Sequence, residues 1–347
     1  MLIYTCSYSE HDTWKVHMKN ILVTGGAGYI GSVLVRKLLS VGHNITCVDN
    51  LLFGAESIKD ILQKDNFRFV NCDINDWDSL DEILMSKKYF AIIHLAAIVG
   101  DPACKLNKEL SIKTNLDSSV WLFDRAEKLG IPRFLFASTC SNYGKMANSE
   151  SYVSENSELA PVSLYADLKV KFEKYILKNK VCTKKFSPTT LRFSTVYGLS
   201  PRMRFDLTVN EFTKELACGR ELIVFGEQFW RPYCHVDDFS NAFITLLESP
   251  SNKVAYDVFN VGDTSENYTK KMIVEEIKKI IPKAKIKFVR KDEDPRDYRV
   301  NFDKIKRELG FKISKRVPDG ITEIFEALKL GLIKNPEDQK YYNIPHN

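Results

Sequence analysis

The feature that most constrains the fold is a glycine-rich segment, Asn20 to Gly31, which begins with a short apolar run. Ile21 to Val23 is typical of a buried parallel strand, and the apolar spacing after Gly31 predicts a helix. Gly25 would allow the tight turn, Gly28 a close approach of backbone to a pyrophosphate, and Gly31 close packing of helix on strand. The helix N-terminus would present free N–H groups to the phosphates. This order predicts a dinucleotide site, although Gly-x-x-Gly-x-x-Gly alone is a moderate signal.

The next predicted strand, Ile45 to Val48, ends at Asp49. A carboxylate at this place can accept hydrogen bonds from a ribose 2′-hydroxyl and repels a 2′-phosphate. No arginine directly follows Asp49 to act as a phosphate binder instead. These residues therefore favour NAD over NADP as the cofactor.

Strand and helix patterns alternate up to Phe193, which predicts parallel βαβ units with right-handed crossovers. Near residue 198 the segments become irregular, and helix-like stretches are separated by short strand-like pieces such as Val258 to Asn260. The fold class predicted is α/β, a Rossmann-type doubly wound parallel sheet with a smaller C-terminal α+β substrate lobe. A cleft at the carboxyl ends of the strands is the expected ligand site. The expected divisions are a poorly ordered extension at 1–17, an NAD-binding domain at 18–198 and a mainly substrate-binding lobe at 199–347.

Composition excludes several classes of protein. The 347 residues carry a formal net charge of +5, with 44% hydrophobic and 27% charged residues, which is ordinary for a globular protein and no nucleic-acid footprint. No apolar run approaches the roughly 18 residues that span a membrane, and residues 1–17 do not have a secretory pattern. The eight cysteines form no Cys-x-x-Cys pair or metal spacing, so we expect reduced thiols, no metal site and a cytoplasmic protein.

Tyr165 and Lys169 form a second motif, because residues four apart lie on one face of a helix. A nearby ammonium stabilises a phenolate, so Lys169 is expected to lower the pKa of Tyr165 towards the working pH. Such a tyrosine can take a proton from a sugar or alcohol hydroxyl while hydride leaves the carbon. Alone the pair is a common surface pattern, and it gains weight from the glycine-rich turn upstream.

Phe136 to Gly144 supplies a third element, with hydroxyl side chains just after the fifth predicted strand. Together these segments resemble the extended short-chain dehydrogenase/reductases, the NAD-dependent nucleotide-sugar epimerase/dehydratase family. The resemblance covers about residues 20 to 330 in order and rests on these segments: Thr24–Gly31, Asp49–Leu51, Cys72–Ile74, His94–Ala97, Asn115, Ser138–Gly144, Tyr165–Lys169, Arg192–Gly198 and Arg231–Asp238.

The resemblance implies three catalytic residues. Thr139 matches the Ser/Thr that hydrogen-bonds the reacting oxygen, Tyr165 the catalytic base, and Lys169 its partner, which also holds the nicotinamide ribose. The cofactor residues that it implies, beside Tyr165 and Lys169, are Gly25, Gly28, Tyr29, Ile30, Gly31, Asp49, Asn50, Asp73, Ile74, Ala96, Ala97 and Asn115. The substrate residues that it suggests are Thr195, where the family often has Asn, and the anion-binding candidates Arg204, Arg231 and Arg296.

Departures from the family pattern bear on the reaction. The family's 4,6-dehydratases have an Asp-Glu pair after the catalytic Thr, and here those places hold Cys140 and Ser141. A thiol and a hydroxyl do not easily replace two carboxyl groups, so a 4,6-dehydratase is disfavoured, and Cys140 is expected to be a buried, inert thiol. The loop Ile98 to Cys104 looks more like a subgroup from bacterial surface-polysaccharide pathways, which includes GDP-heptose 4-dehydrogenases.

The function that the resemblance implies is an NAD-dependent nucleotide-sugar epimerase that oxidises C4 to a 4-keto intermediate. A nucleotide-sugar 4-dehydrogenase or a 4-keto reductase would use the same groups and stays open, and a non-catalytic NAD-binding regulator is a remote alternative. The expected partner is a nucleotide-diphosphate sugar, without nucleic acid or membrane. The family commonly forms homodimers through a four-helix bundle, here from helices at about 106–129 and 164–180. The apolar residues Val120, Leu122, Leu168 and Ile176 are compatible with this interface, and they could equally face the sheet.

Overall fold

The computed structural model describes residues 18–146, 151–178, 185–294 and 296–344. The extension expected at 1–17 lies outside the described residues. The strands are β1 Asn20–Thr24, β2 Asn44–Asp49, β3 Phe67–Asn71, β4 Ala91–His94, β5 Arg133–Thr139, β6 Ser187–Phe193, β7 Thr195–Tyr197, β8 Glu221–Phe225, β9 Trp230–His235, β10 Asp257–Val261, β11 Asn267–Thr269 and β12 Lys285–Val289. The α-helices are α1 Tyr29–Ser40, α2 Trp77–Met85, α3 Asp101–Leu106, α4 Lys108–Ile112, α5 Ser118–Lys128, α6 Leu164–Lys178, α7 Thr208–Ala217, α8 Val236–Glu248, α9 Ser251–Val254, α10 Lys270–Ile280, α11 Asp303–Leu309 and α12 Val317–Lys329.

Seven parallel strands form the central sheet, in the order β10-β6-β5-β4-β1-β2-β3. Of its inner strands, β1, β4 and β5 are largely apolar, as is usual where helices cover both faces of a sheet. The direction of winding reverses beside β1, between β1 and β4, and an open α/β sheet binds its ligands at such a point. The doubly wound Rossmann-type sheet predicted from the sequence is confirmed.

The strand predicted for the small lobe at Val258 to Asn260 belongs instead to the central sheet. It is part of β10, which pairs in parallel with β6 through Val258 and Thr190. The preceding helix α8 packs against α1 on the same face of the sheet. The chain therefore returns to the large sheet after residue 235, so this sheet includes residues beyond the predicted division at residue 198. The division itself stays a prediction.

The long helix predicted from Leu110 to Leu129 is interrupted. A π-helical turn at Lys113–Asp117 separates α4 from α5. Within that turn the buried Asn115 accepts a hydrogen bond from Ile98 N (2.8 Å) and donates one to Ile98 O (2.9 Å). The wider turn therefore lets one side chain fix the backbone of the loop that follows β4, and such turns are frequent at functional sites.

The smaller lobe is built from elements that lie before and after β10 in the sequence. A three-stranded sheet (β11-β9-β7) and a parallel pair (β12-β8) pack with α7, α10 and α12 around their own apolar core. Within the described residues, no helix is long and apolar enough to cross a membrane.

Candidate active site

One large cleft of about 850 Å³ runs along the carboxyl ends of the central strands and faces the smaller lobe. This volume lies in the range of ligand sites. The residues predicted from the sequence that line it are Gly25, Gly28, Tyr29, Ile30, Gly31, Asp49, Asn50, Asp73, Ile74, Ala96, Ala97, Thr139, Tyr165, Lys169, Thr195, Arg204, Arg231 and Arg296. Asn115 does not line the cleft, since it is buried behind the loop whose backbone it holds.

Two glycines of the turn after β1 have no room for a side chain. Gly25 has a φ of +73°, and a Cβ on it would lie 2.7 Å from the backbone nitrogen of Ala96. A Cβ on Gly31 would lie 2.1 Å from the carbonyl oxygen of Gly25. The turn therefore folds tightly back on itself and brings the N-terminus of α1 to the cleft, where its free N–H groups can receive a phosphate.

Asp49, at the end of β2, is tied to the same turn. Its carboxylate accepts hydrogen bonds from Ala27 N (3.0 Å) and Leu51 N (2.8 Å). Burial raises the pKa of this carboxyl, and the two N–H groups oppose that shift. A carboxylate has further acceptor positions, so Asp49 can still bind a ribose hydroxyl. On the next strand, Asp73 accepts a hydrogen bond from Asn50 Nδ2 (2.8 Å).

Tyr29 joins the turn to the second half of the chain. Its hydroxyl donates to the carbonyl of Gly198 and accepts a hydrogen bond from Asn210 Nδ2 (3.0 Å). Tyr29 is 5% exposed, so its side chain makes these two hydrogen bonds inside the protein. Its role at the cofactor stays a prediction.

Thr139 ends β5 at the floor of the cleft, and its Oγ1 accepts a hydrogen bond from Ser141 N (3.1 Å). That bond starts a tight turn and holds the hydroxyl at the carboxyl edge of the sheet. The next residue, Cys140, is fully buried, and its thiol donates to the carbonyl of Arg192 (3.3 Å). Burial raises the pKa of the Cys140 thiol well above its usual range, so it is a buried thiol, as expected, and has no access to a ligand.

Tyr165 lies in the first turn of α6 and lines the cleft. Among the residues that the structure describes, no group hydrogen-bonds its hydroxyl. Burial raises the pKa of Tyr165 above its usual value, and the cationic Arg204 partly opposes that shift. The prediction that Lys169 lowers this pKa is wrong for this structure, because the ammonium is directed elsewhere.

Lys169 is 3% exposed and lies one turn after Tyr165. Its ammonium donates to the carbonyl of Ala137 (2.8 Å) and lies 4.6 Å from the ring centre of Phe136, against 5.8 Å from that of Tyr165. Burial lowers the pKa of Lys169 to about 8. The ammonium is thus held at the floor of the cleft, and its pKa lies close to neutral pH.

The three predicted anion-binding arginines line the cleft, and each has a carboxylate partner. The pairs are Arg204 with Asp206 (2.7 Å), Arg231 with Asp294 (2.8 Å) and Arg296 with Asp101 (3.3 Å). The last pair crosses the cleft, since Asp101 begins α3 and Arg296 belongs to the smaller lobe.

Sequence reasoning missed several residues of the site. Arg202, two positions before the predicted Arg204, lines the cleft with its side chain buried. Asn343 and Ile344, near the C-terminus, line it as well. Behind it, Glu173 and Arg192 form a buried ion pair (2.8 Å). The one sequence signal that could have identified Glu173 is its position one helical turn after Lys169, on the same face of α6.

The arrangement suits proton transfer next to a dinucleotide. Thr139, Tyr165 and Lys169 come from β5 and α6 and line the same cleft as the glycine-rich turn and Asp49. A hydroxyl, a phenol and an ammonium can together bind an alcohol oxygen and move its proton.

Comparisons with known proteins agree with this geometry. The pattern of the NAD dependent epimerase/dehydratase family matches residues 21–262. A UDP-glucose 4-epimerase of Bacillus subtilis is 28% identical over 320 residues, 85% of this chain and 92% of that protein. A crystal structure of UDP-glucose 4-epimerase from Thermotoga maritima with UDP-glucose has a TM-score of 0.79 and 28% identity, and covers 90% of this chain and 99% of that one. The UDP-Glc/GlcNAc 4-epimerase of Campylobacter jejuni has a TM-score of 0.77 and 27% identity, with coverages of 90% and 99%.

Proposed function

Because the chain belongs to the NAD-dependent epimerase/dehydratase family, we propose that it is a nucleotide-sugar 4-epimerase whose substrate is a UDP-hexose. It is an NAD-dependent enzyme of the extended short-chain dehydrogenase/reductase type. The UDP part of the proposal comes from the relatives that act on UDP-glucose or UDP-GlcNAc. The observation that supports the proposal is that Thr139, Tyr165 and Lys169 line the same cleft as the glycine-rich turn.

The residues of the cleft fit NAD. The tight turn that needs Gly25 and Gly31 brings the N-terminus of α1 to the cleft, and this N-terminus suits the pyrophosphate. Asp49 and Asp73 offer carboxylates for a ribose hydroxyl and the adenine. Bound NAD would supply the acceptor and donor of hydride for C4 of the sugar.

The chain's own groups would handle the proton. Tyr165 would take it from the C4 hydroxyl, and the Thr139 hydroxyl would hydrogen-bond the same oxygen. The Lys169 ammonium would stabilise the negative charge that develops there. Arg231, Arg204 and Arg296 would bind the diphosphate of the nucleotide, since guanidinium groups match phosphate geometry. In the reverse direction, hydride would return to the opposite face of C4 and Tyr165 would give the proton back to the C4 oxygen, which completes an epimerase cycle.

Product analysis tests the reaction. The purified protein is incubated with UDP-glucose and UDP-GlcNAc, and with GDP-, dTDP- and CDP-hexoses, while NMR follows the sugar and absorbance follows reduced cofactor. We expect a UDP-hexose to reach a mixture of its two C4 epimers without accumulation of NADH. Stoichiometric NADH would instead indicate a 4-dehydrogenase, and turnover that consumes NADH with a 4-keto sugar would indicate a reductase. NAD binding without turnover of any sugar would favour the regulator.

We also propose a homodimer through the outward faces of α5 and α6. Trp77 and Trp121 stack there with ring centres 5.8 Å apart, and Val120 and Tyr175 extend the apolar surface. Leu122, Leu168 and Ile176, which the sequence suggested for this interface, are instead buried inside the subunit. Residues 179–180 of the predicted helix lie outside the described residues.

A second copy of this chain is the occupant that suits this face, because the face carries both signs of charge. Asp117 and Asp124 lie on the α5 side, and Lys171 lies on the α6 side. Within one chain, Lys171 pairs with Asp167 (2.8 Å) and Asp124 accepts a hydrogen bond from Tyr175 (2.7 Å). A two-fold arrangement that places α5 of one copy against α6 of the other would add charges of opposite sign from the partner to these exposed groups. An apolar centre with a charged rim is the usual anatomy of an interface.

Trp121→Asp should dissociate the dimer. A charge in place of a central aromatic residue is expected to weaken association by at least about 2 kcal/mol, or roughly 30-fold. Sedimentation equilibrium should give twice the mass of one chain for the wild type and a shift to single chains for the variant. Leu332→Asp, at an apolar residue that is 74% exposed away from this face, is the matched control and should stay dimeric. A wild type that remains monomeric at all concentrations would overturn the proposal.

The location of the protein is a proposal as well. The six cysteines among the described residues are free thiols, and we infer a reducing compartment, the cytoplasm.

A further inference from the structure

Arg202 is a buried cation that lacks a carboxylate partner among the described residues. Its side chain is 6% exposed, and its guanidinium lies 4.0 Å from the centre of the Phe53 ring. Nη2 donates to the carbonyl of Tyr342 (3.4 Å), while Nε has no partner within the described chain. The other three arginines that line the cleft are each paired with a carboxylate. Arg202 is thus the exception in the cleft.

An unpaired buried cation is costly, because a charge that leaves water must regain its stabilisation from a partner. Burial, together with the positive charge of Arg204, lowers the pKa of Arg202 to about 10. Proteins retain such a group chiefly where a ligand supplies the opposite charge. Since Arg202 lines the cleft, its missing counter-charge can come from a bound anion.

Its surroundings indicate which part of the cofactor is near. Arg202 N donates to the Ser200 hydroxyl (3.3 Å), and that hydroxyl donates to the carbonyl of Tyr29 (2.7 Å) in the first turn of α1. Ser200 Oγ also lies 3.1 Å from Ser32 Oγ, one turn later on the same helix. On its other side, Arg202 contacts Phe53, four residues after Asp49. The backbone of Arg202 is therefore linked to the first turn of α1, whose N-terminus faces the phosphates, and its guanidinium lies by the loop that follows the ribose carboxylate.

We propose that Arg202 binds the pyrophosphate of NAD beside the helix N-terminus that follows the glycine-rich turn. The helix N-terminus and the guanidinium would then hold the two phosphates from different halves of the chain, and a guanidinium can donate two parallel hydrogen bonds to phosphate. The 2′-phosphate of NADP is the less suitable anion, because the Asp49 carboxylate repels it. This inference rests on the assignment of NAD to the cleft.

Binding of cofactor fragments tests the proposal without any reaction. Calorimetry would compare adenosine, adenosine 5′-diphosphate, adenosine 2′-monophosphate and NAD on the wild type and on Arg202→Gln. We expect the substitution to weaken the binding of adenosine 5′-diphosphate and of NAD by on the order of 10- to 100-fold, as for a lost hydrogen bond to a charged group. Adenosine should bind within about twofold of its wild-type affinity, because it carries no phosphate.

Two further variants test whether the effect depends on the position of the positive charge and on the planar guanidinium group of Arg202. Arg68→Gln removes a positive charge at an exposed arginine of β3, and its affinities should equal those of the wild type. Arg202→Lys keeps the charge without the planar fork, and its affinity for adenosine 5′-diphosphate should lie between those of Arg202→Gln and the wild type. Unfolding curves without ligand would confirm that each variant is folded.

Three results would overturn the inference. Arg202→Gln could bind adenosine 5′-diphosphate as tightly as the wild type does. It could weaken the binding of adenosine and of adenosine 5′-diphosphate equally, which would mean that Arg202 only holds Phe53 and Tyr342 in place. It could also affect adenosine 2′-monophosphate more than the 5′-diphosphate, which would place the anion at the ribose. A wild type that binds neither NAD nor adenosine 5′-diphosphate would instead overturn the cofactor assignment, and this inference with it.

Discussion

Tyr165→Phe is expected to lower kcat with a UDP-hexose by on the order of 10²- to 10⁴-fold, the usual contribution of a positioned acid or base. The substitution removes only the group that takes the proton from the sugar. KM should change little, because the ring that lines the cleft remains. Initial rates of epimer formation over a range of substrate concentrations would separate the two parameters.

The structure provides a control for this loss. Since the Tyr165 hydroxyl has no hydrogen-bond partner within the described residues, its removal should change the free energy of unfolding by less than about 0.5 kcal/mol. Tyr89→Phe removes the hydroxyl of another buried tyrosine, which donates to Thr46 (3.2 Å) away from the cleft. That variant should lose some stability and keep its kcat. Retained kcat in Tyr165→Phe would refute the proposed role of the phenol.

The pH dependence of the wild type follows from the same groups. Burial raises the pKa of Tyr165 and lowers that of Lys169 to about 8. A base must be deprotonated to act, so a raised pKa leaves little phenolate at neutral pH and more as the pH rises. We therefore expect kcat/KM to increase from about pH 6 to about pH 8 and the increase to end as Lys169 loses its charge. A rate that falls over this interval would contradict the assignment of Tyr165 as the base.

Glu173→Ala is expected to cost about 3–5 kcal/mol of unfolding free energy, the effect of removing one partner of a buried ion pair. The side chains of Glu173 and Arg192 are 1% and 5% exposed, and the carboxylate accepts from Arg192 at two nitrogens (2.8 and 3.0 Å). It also accepts hydrogen bonds from the Ser138 hydroxyl and from Asn142 Nδ2. Although burial alone lowers it, the pKa of Arg192 is raised, because the carboxylate stabilises its charge. Without Glu173 that charge would be buried and uncompensated.

Urea unfolding measures this effect, and two variants sharpen it. Asp292→Ala breaks an ion pair whose side chains are 90% and 78% exposed, and should change stability by less than about 0.5 kcal/mol. Glu173→Leu combined with Arg192→Met removes both charges and should be less destabilised than Glu173→Ala, since no lone charge remains. A loss below about 1 kcal/mol in Glu173→Ala would show that Arg192 finds another partner.

The sequence predicted the features that depend on neighbouring residues. The turn at Gly25, the acid at Asp49 and the helical pair Tyr165–Lys169 are local patterns with fixed spacing, and they led to the correct sheet and to residues that share one cleft. The position of β10 could not be predicted, because its partner β6 lies about 70 residues earlier and an apolar strand does not specify its neighbour.

The sequence pattern also could not predict which charged side chains pair with each other. Arg202 and Arg204 are two residues apart, and only the folded chain shows that Arg204 pairs with Asp206 while Arg202 is left without a carboxylate among the described residues. The Tyr165–Lys169 spacing predicted adjacency but not the bond from Lys169 to Ala137 that turns the ammonium away. The pKa of a group depends on its burial and on its neighbours in space. Spacing along a helix does not determine either of these.

The position of the last described residues matters for how the protein is produced. Phe205 N donates to the carbonyl of Tyr341 (2.9 Å), and the Lys214 ammonium donates to the Tyr342 hydroxyl (2.9 Å). Asn343 and Ile344 then line the cleft, three residues before the final Asn347. A purification tag attached soon after Ile344 would therefore begin beside the ligands, so a tag placed elsewhere, or one removed by protease, is the better choice for measurements of binding and rate.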